Sequence, residues 1–130
     1  MNAARIFYPV RVLGPGNRLG IWLAGCPRRC PGCSNPELWE KQEKYEIELD
    51  SLMNLLKPIL QKADMDGIII TGGDPFFQAE ELSLLLKELH SYTADILVYT
   101  GYHLQELRQG PPAVRECLKY IGVLIDGPYE

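Results

Sequence analysis

Several features of common protein classes are absent from this sequence. It has no run of about 18 apolar residues, the length at which a membrane-spanning helix is indicated. The N-terminus lacks a basic segment followed by a long apolar stretch, so we expect no secretory signal and a cytoplasmic protein. No P-loop, HExxH motif or Ser–His–Asp arrangement occurs. The sequence therefore lacks the signatures of P-loop nucleotide hydrolases, zinc peptidases and serine hydrolases.

Acidic residues are also missing from the start of the chain. The first acid is Glu37, whereas the preceding positions carry Arg5, Arg11, Arg18, Arg28 and Arg29. Such a start resembles a transit peptide in composition, but it contains the densest motif in the chain and is read as mature protein. The net charge of the whole chain is −4, which argues against general nucleic-acid binding. A length of 130 residues is enough for one domain and too short for two ordinary ones.

The spacing of apolar residues predicts alternating strands and helices. Strands are expected over residues 5–13, 19–24, 67–71, 95–100 and 122–125. Helices are expected over 78–90, 103–108 and 113–120, and from an N-cap at Asp50 or Ser51, with Pro58 kinking or shortening that first helix. Its inward face is expected to carry Leu52, Leu55, Leu56, Ile59 and Leu60.

This order of elements is typical of parallel βαβ units. Four or five strands are too few to close an eight-stranded barrel. The fold class predicted is α/β, an open or partial parallel β/α barrel, with residues 1–130 as one domain.

Unusual residues follow four of the predicted strands. They are Gly25-Cys26, Gly72-Gly73-Asp74, Gly101-Tyr102 and Asp126-Gly127. Because ligands of parallel sheets bind at the carboxyl ends of the strands, these loops are expected to converge on one site.

A cluster of cysteines is the strongest chemical signal. Cys26, Cys30 and Cys33 are spaced so that one loop can fold its thiolates around a single metal centre. A disulfide framework is not expected in a cytosolic chain. A structural zinc site would need a fourth ligand, and a buried, inert thiol is the expectation for the fourth cysteine, Cys117. The spacing alone leaves both an iron–sulfur cluster and a zinc loop open.

The order of motifs is more specific than the cysteine spacing. C-x3-C-x2-C after a buried strand, followed by a Gly-Gly-acid loop after the next, resembles the radical S-adenosylmethionine (SAM) superfamily. Within it, the chain resembles the family that activates anaerobic (class III) ribonucleotide reductases. The further matching segments are 14–18, 30–36 with Trp39, 71–75, 99–102 and 124–129. In this family Pro-Gly also precedes the third cysteine, as Pro31-Gly32 does here.

The resemblance implies a 4Fe–4S cluster and SAM as cofactors, with Cys26, Cys30 and Cys33 as ligands of three irons. SAM chelates the fourth iron and is cleaved reductively to methionine and a 5′-deoxyadenosyl radical. Contacts to SAM are implied for a set of residues on the rim: Gly32, Cys33, Ser34, Gly72, Gly73, Asp74, Thr100, Gly101 and Asp126. Asp74 is expected to accept a hydrogen bond from the methionyl ammonium group, whereas Asp126 is equally read as a strand terminator.

The same resemblance implies an enzyme that installs a glycyl radical on the large subunit of an anaerobic ribonucleotide reductase. An electron donor such as flavodoxin or ferredoxin is implied, with no membrane or nucleic-acid partner. Similar proteins continue beyond the Asp-Gly motif at 126–127, so a C-terminal segment is expected to be missing here. Two alternatives stay open: a radical SAM protein acting on another partner or small molecule, and a non-catalytic zinc or iron–sulfur module.

Overall fold

The computed structural model describes residues 1–25 and 43–127. Its five-stranded sheet has the order β1-β2-β3-β4-β5, with the first and last strands at the edges. The strands are Ala3–Val10 (β1), Arg18–Leu23 (β2), Gly67–Gly72 (β3), Ile96–Tyr99 (β4) and Val123–Ile125 (β5). Because β1 and β5 are not paired with each other, the sheet is open, and the predicted α/β class with a partial barrel is confirmed.

Four helices accompany the sheet in the described part of the chain. They are Leu49–Leu60 (α1), Ala79–His90 (α2), Leu104–Arg108 (α3) and Pro112–Leu118 (α4). Short 3₁₀ turns at Glu43–Tyr45 and Pro75–Gln78 precede α1 and α2. None of the helices described combines the length and apolar character that crossing a membrane requires.

The first strand differs in direction from the other four. β2 to β5 pair in parallel, whereas β1 pairs with β2 in the antiparallel sense. A parallel crossover needs a dozen or more residues and usually a helix, and the connection over residues 11–17 is too short for one. The chain therefore turns back beside β2 and adds an antiparallel edge to a parallel sheet.

The three central strands are buried on both faces because they alternate between two apolar clusters. The larger cluster, which includes the buried helix residues, takes Leu19, Ile21, Leu23, Ile68, Ile70, Ile96 and Val98 from these strands. The smaller takes Trp22, Ala24, Ile69 and Leu97. β5 differs from the central strands because its Val123 and Ile125 are exposed. That strand has a neighbour on only one side among the described residues.

Helix α1 differs from the expectation in its N-cap and in its inward face. Its N-cap is Glu48, which makes no side-chain capping bond, so Asp50 and Ser51 lie within the first turn. Pro58 lies inside the last turn, and the helix continues only to Leu60. Leu55 is 58% exposed, and Met53 is buried instead, because the inward stripe runs through Leu52, Met53, Leu56 and Leu60.

Arg18 joins the amino ends of the central strands. Its side chain is buried, and Nε donates to the carbonyl of Pro15 at 2.8 Å. Its two terminal nitrogens donate to the carbonyl of Ile68 at 3.3 Å and to Oδ1 of Asp95 at 2.9 Å. A Cβ on Gly67 would lie 2.6 Å from the guanidinium, so this glycine leaves the space that Arg18 occupies. The buried cation of Arg18 thus binds backbone carbonyls at the amino edge of the sheet.

Replacing Arg18 with alanine is expected to lower the free energy of unfolding by about 3 kcal/mol, because two backbone carbonyls lose a buried donor. The matched control is Arg11→Ala, since Arg11 is exposed and bonds only Oδ1 of Asn17 among the described residues. That control is expected to change stability by less than about 0.5 kcal/mol. Urea unfolding measures both, and equal losses would contradict the assignment.

Candidate functional site

The ends of β2, β3 and β4 are joined by hydrogen bonds at the carboxyl edge of the sheet. The amide of Gly73 donates to the carbonyl of Leu23 at 2.7 Å, and the amide of Asp74 donates to the carbonyl of Gly25 at 2.8 Å. The amide of Gly101 donates to Oδ2 of Asp74 at 2.9 Å. The loops predicted to converge therefore do meet on one rim, as far as their residues are described.

Gly72 occupies a position that only glycine fits. Its φ is +116°, a conformation that L side chains rarely adopt, and a Cβ there would overlap the backbone of Leu23. Sequence reasoning assigned this glycine to close approach of a cofactor. The structure adds a reason within the fold itself, which is the close approach of the ends of β2 and β3. Gly73 beside it is half-buried.

Asp74 is buried, with 1% of its surface exposed, and its carboxylate is surrounded by donors. Oδ1 accepts from the amide of Phe76 at 3.1 Å and so caps the 3₁₀ turn that leads into α2. The hydroxyl of Thr100 lies 2.9 Å and 3.0 Å from the two carboxylate oxygens. With the amide of Gly101, these contacts bring three predicted site residues into one network.

Asp126 lies on the same rim, but its carboxylate binds the start of α3. Its Oδ2 accepts from the amide of Leu104 at 2.8 Å, which caps the first residue of α3. The next amide, that of Gly127, donates to the carbonyl of Tyr102 at 3.0 Å. The carboxylate thus joins the loop after β5 to the loop after β4.

A buried amide that sequence reasoning missed supports the end of β2. Gln78 Nε2 donates to the carbonyl of Ala24 at 2.9 Å and to that of Asn2 at 3.1 Å. Its Oε1 accepts from the amide of Asn2 at 2.7 Å. These bonds fix the chain one residue before Gly25. The signal available in the sequence was a polar residue beside two aromatics at a helix start, which does not by itself indicate a site.

The cysteine segment begins at this fixed point. Cys26, Cys30, Gly32, Cys33 and Ser34 lie outside the described residues. Gly25 is described, with φ +109°, and is held by the amide of Asp74. The described chain therefore reaches this rim at the residue that immediately precedes Cys26 in the sequence.

Among residues 1–25 and 43–127, no group of three His, Cys, Asp or Glu side chains could hold a metal ion. Cys117 is fully buried on α4, where Sγ lies 3.4 Å from the carbonyl of Ala79 on α2. Burial raises the pKa of its thiol to about 12. The expectation of a buried thiol at this position is confirmed.

Comparison with known proteins gives the family. A family model described as a 4Fe-4S single cluster domain matches residues 12–130, a span that contains all four cysteines. The anaerobic ribonucleoside-triphosphate reductase-activating protein of Enterobacteria phage T4 is 34% identical over 100% of this chain and 82% of its own length. The protein of the same name from Escherichia coli is 33% identical over 95% of this chain and 82% of its own length. This chain belongs to the family of anaerobic ribonucleoside-triphosphate reductase-activating proteins.

A relative with a different name matches a shorter part of this chain. The pyruvate formate-lyase-activating enzyme of Staphylococcus epidermidis is 35% identical over 58% of this chain and 32% of its own length. All three of these relatives are named as activators of another enzyme.

The raised pKa of Cys117 predicts that its thiol resists alkylation. At pH 8 iodoacetamide is expected to leave the tryptic peptide 116–119 unmodified in the folded chain, because almost no thiolate forms and the sulfur is inaccessible. The same peptide is expected to be modified fully in urea, as mass spectrometry would show. Equal labelling in both conditions would mean that Cys117 is exposed to solvent in the folded protein.

Proposed function

We propose that this protein is a radical SAM activase that generates a glycyl radical on an anaerobic ribonucleoside-triphosphate reductase. The observation that carries the proposal is the link between the Gly72–Gly73–Asp74 loop and Gly25, the residue that immediately precedes the first cysteine. The named relatives activate an anaerobic reductase, and the family model is that of a 4Fe-4S domain.

The thiol chemistry fits an iron–sulfur cluster with one iron left open. Cys26, Cys30 and Cys33 supply three soft thiolates within one loop. Cys117, the fourth cysteine, lies buried between α2 and α4, so it is unsuited to act as a fourth ligand. Three thiolates leave one iron of a cubane cluster for a ligand that is not a cysteine.

If bound, the cluster held by Cys26, Cys30 and Cys33 would supply the electron that cleaves the sulfonium C–S bond of SAM, and the chemistry so supplied would be removal of a hydrogen atom from a glycine Cα. The protein supplies binding, orientation and exclusion of water. Gly72, Gly73 and the loop around Asp74 are proposed to bind the methionyl ammonium group. The remaining contacts to SAM are proposed for Gly32, Cys33, Ser34, Gly101 and Asp126, whereas the hydroxyl of Thr100 is bonded to Asp74 and to the amide of Tyr102.

The proposed reaction also requires a source of electrons. We propose that a low-potential electron carrier such as flavodoxin or ferredoxin reduces the protein in the cytoplasm. The partner is the large subunit of the reductase, which carries the target glycine. A membrane or nucleic-acid partner is not part of the proposal.

Anaerobic reconstitution with iron and sulfide tests the ligand assignment. The wild-type chain is expected to bind about four irons and to release 5′-deoxyadenosine from SAM under dithionite. Cys26→Ala is expected to lose the cluster and the nucleoside product. Cys117→Ala is the matched control and is expected to retain both, with stability reduced by about 1 kcal/mol through loss of a small buried group.

Two results would contradict the proposal. Equal cluster loss in both variants would overturn the assignment of the three-cysteine loop as the ligand set. One zinc ion per chain and no nucleoside product would indicate the non-catalytic metal module. A glycyl radical signal on the reductase large subunit, measured by electron paramagnetic resonance after incubation with the activase, SAM and dithionite, would identify the partner, and its absence alongside SAM cleavage would indicate another target.

A further inference from the structure

We propose that Asp74 and Thr100 are positioning residues: their hydrogen bonds join the loops of the site, and SAM binding depends on them through the position of those loops. The part concerning SAM rests on the proposed function. The link between the loops rests only on contacts within this chain.

The contacts of Asp74 are those of an internal support. A carboxylate offers about four acceptor positions. Among the described residues, the amides of Phe76 and Gly101 and the hydroxyl of Thr100 all lie within 3.1 Å of its oxygens. Its exposed fraction is 1%. A group so enclosed by the protein's own donors stabilises the arrangement of those donors.

Thr100 is committed in the same way. Its side chain is buried, with 7% of the residue exposed. The hydroxyl carries one hydrogen, which is directed to the carboxylate of Asp74, and the oxygen accepts from the amide of Tyr102 at 3.2 Å. The hydroxyl therefore bridges the loop after β4 to the loop after β3, which makes it poorly suited to bind a ribose or carboxylate of the cofactor.

A single residue thus connects three strand ends. The main chain of Asp74 binds Gly25 at the end of β2, and its side chain binds Thr100 and Gly101 at the end of β4. Loss of the carboxylate would release the loop after β4 while β3 stayed paired through its own ladder. The cofactor contacts would then weaken indirectly, through loss of loop position.

Amide hydrogen exchange on the cluster-free protein tests the link without reference to activity. Thr100→Val removes the hydroxyl at nearly constant volume, and it is expected to speed exchange at the Gly101 and Tyr102 amides by about tenfold. Thr100→Ser keeps the hydroxyl and is expected to exchange as the wild type does. Thr93→Val is the matched control at the opposite edge, where Thr93 Oγ1 accepts from the amide of Asp95. It is expected to leave Gly101 and Tyr102 unchanged.

Equilibrium binding of SAM to the reconstituted, unreduced protein tests the consequence for the cofactor. Thr100→Val and Asp74→Asn are both expected to weaken SAM binding by about tenfold, and Thr100→Ser to restore it. The threonine pair decides the outcome even if Asp74→Asn fails to fold. Wild-type affinity in Thr100→Val would overturn the positioning role.

Failure of this inference and failure of the proposed function give different results. Unchanged exchange at Gly101 and Tyr102 in Thr100→Val would overturn the link, whatever the protein binds. A wild-type chain that assembles no cluster and binds no SAM would overturn the proposed function and the expected effect on SAM binding. Accelerated exchange in the Thr100→Val variant of such a protein would still establish Asp74 and Thr100 as the connection between the loops.

Discussion

The hydrogen bonds that join the carboxyl ends of β2, β3 and β4 are the constraint on which the site depends. Parallel strands bring their ends to one edge, but the loops beyond them need separate bonds to stay together. Here those bonds run from Gly73 to Leu23, from Asp74 to Gly25, and from Gly101 to Asp74. They also fix the position of Gly25, the residue that immediately precedes Cys26 in the sequence.

The two edges of the sheet have different tasks. At the amino edge, Arg18 satisfies backbone carbonyls from inside the fold and leaves no room for a side chain on Gly67. At the carboxyl edge, the buried carboxylate of Asp74 gathers backbone amides and a hydroxyl. At the amino edge, the cation of Arg18 stabilises the fold. At the carboxyl edge, the anion of Asp74 positions the loops beside the half-buried Gly73. This division matches the rule that parallel α/β sheets bind ligands at the carboxyl ends of their strands.

The sequence predicted the features set by pattern and spacing. Apolar runs identified the central strands, and apolar spacing predicted a helix over residues 78–90, where α2 spans Ala79–His90. Features set by tertiary contacts were not predictable. The antiparallel direction of β1, the burial of Met53 instead of Leu55, and the bonds from Gln78 to Ala24 depend on partners far along the chain. Gly72 was identified as a site residue, but its overlap with Leu23 needed coordinates.

We propose that this rim holds SAM against a cluster iron that no cysteine of the protein binds. Electron–nuclear double resonance on the reduced, reconstituted protein, using SAM labelled with nitrogen-15 at the methionyl amino group, tests that claim most directly. We expect coupling between the cluster spin and the labelled nitrogen. A cluster spectrum unchanged by SAM, with no coupling to the label, would contradict it.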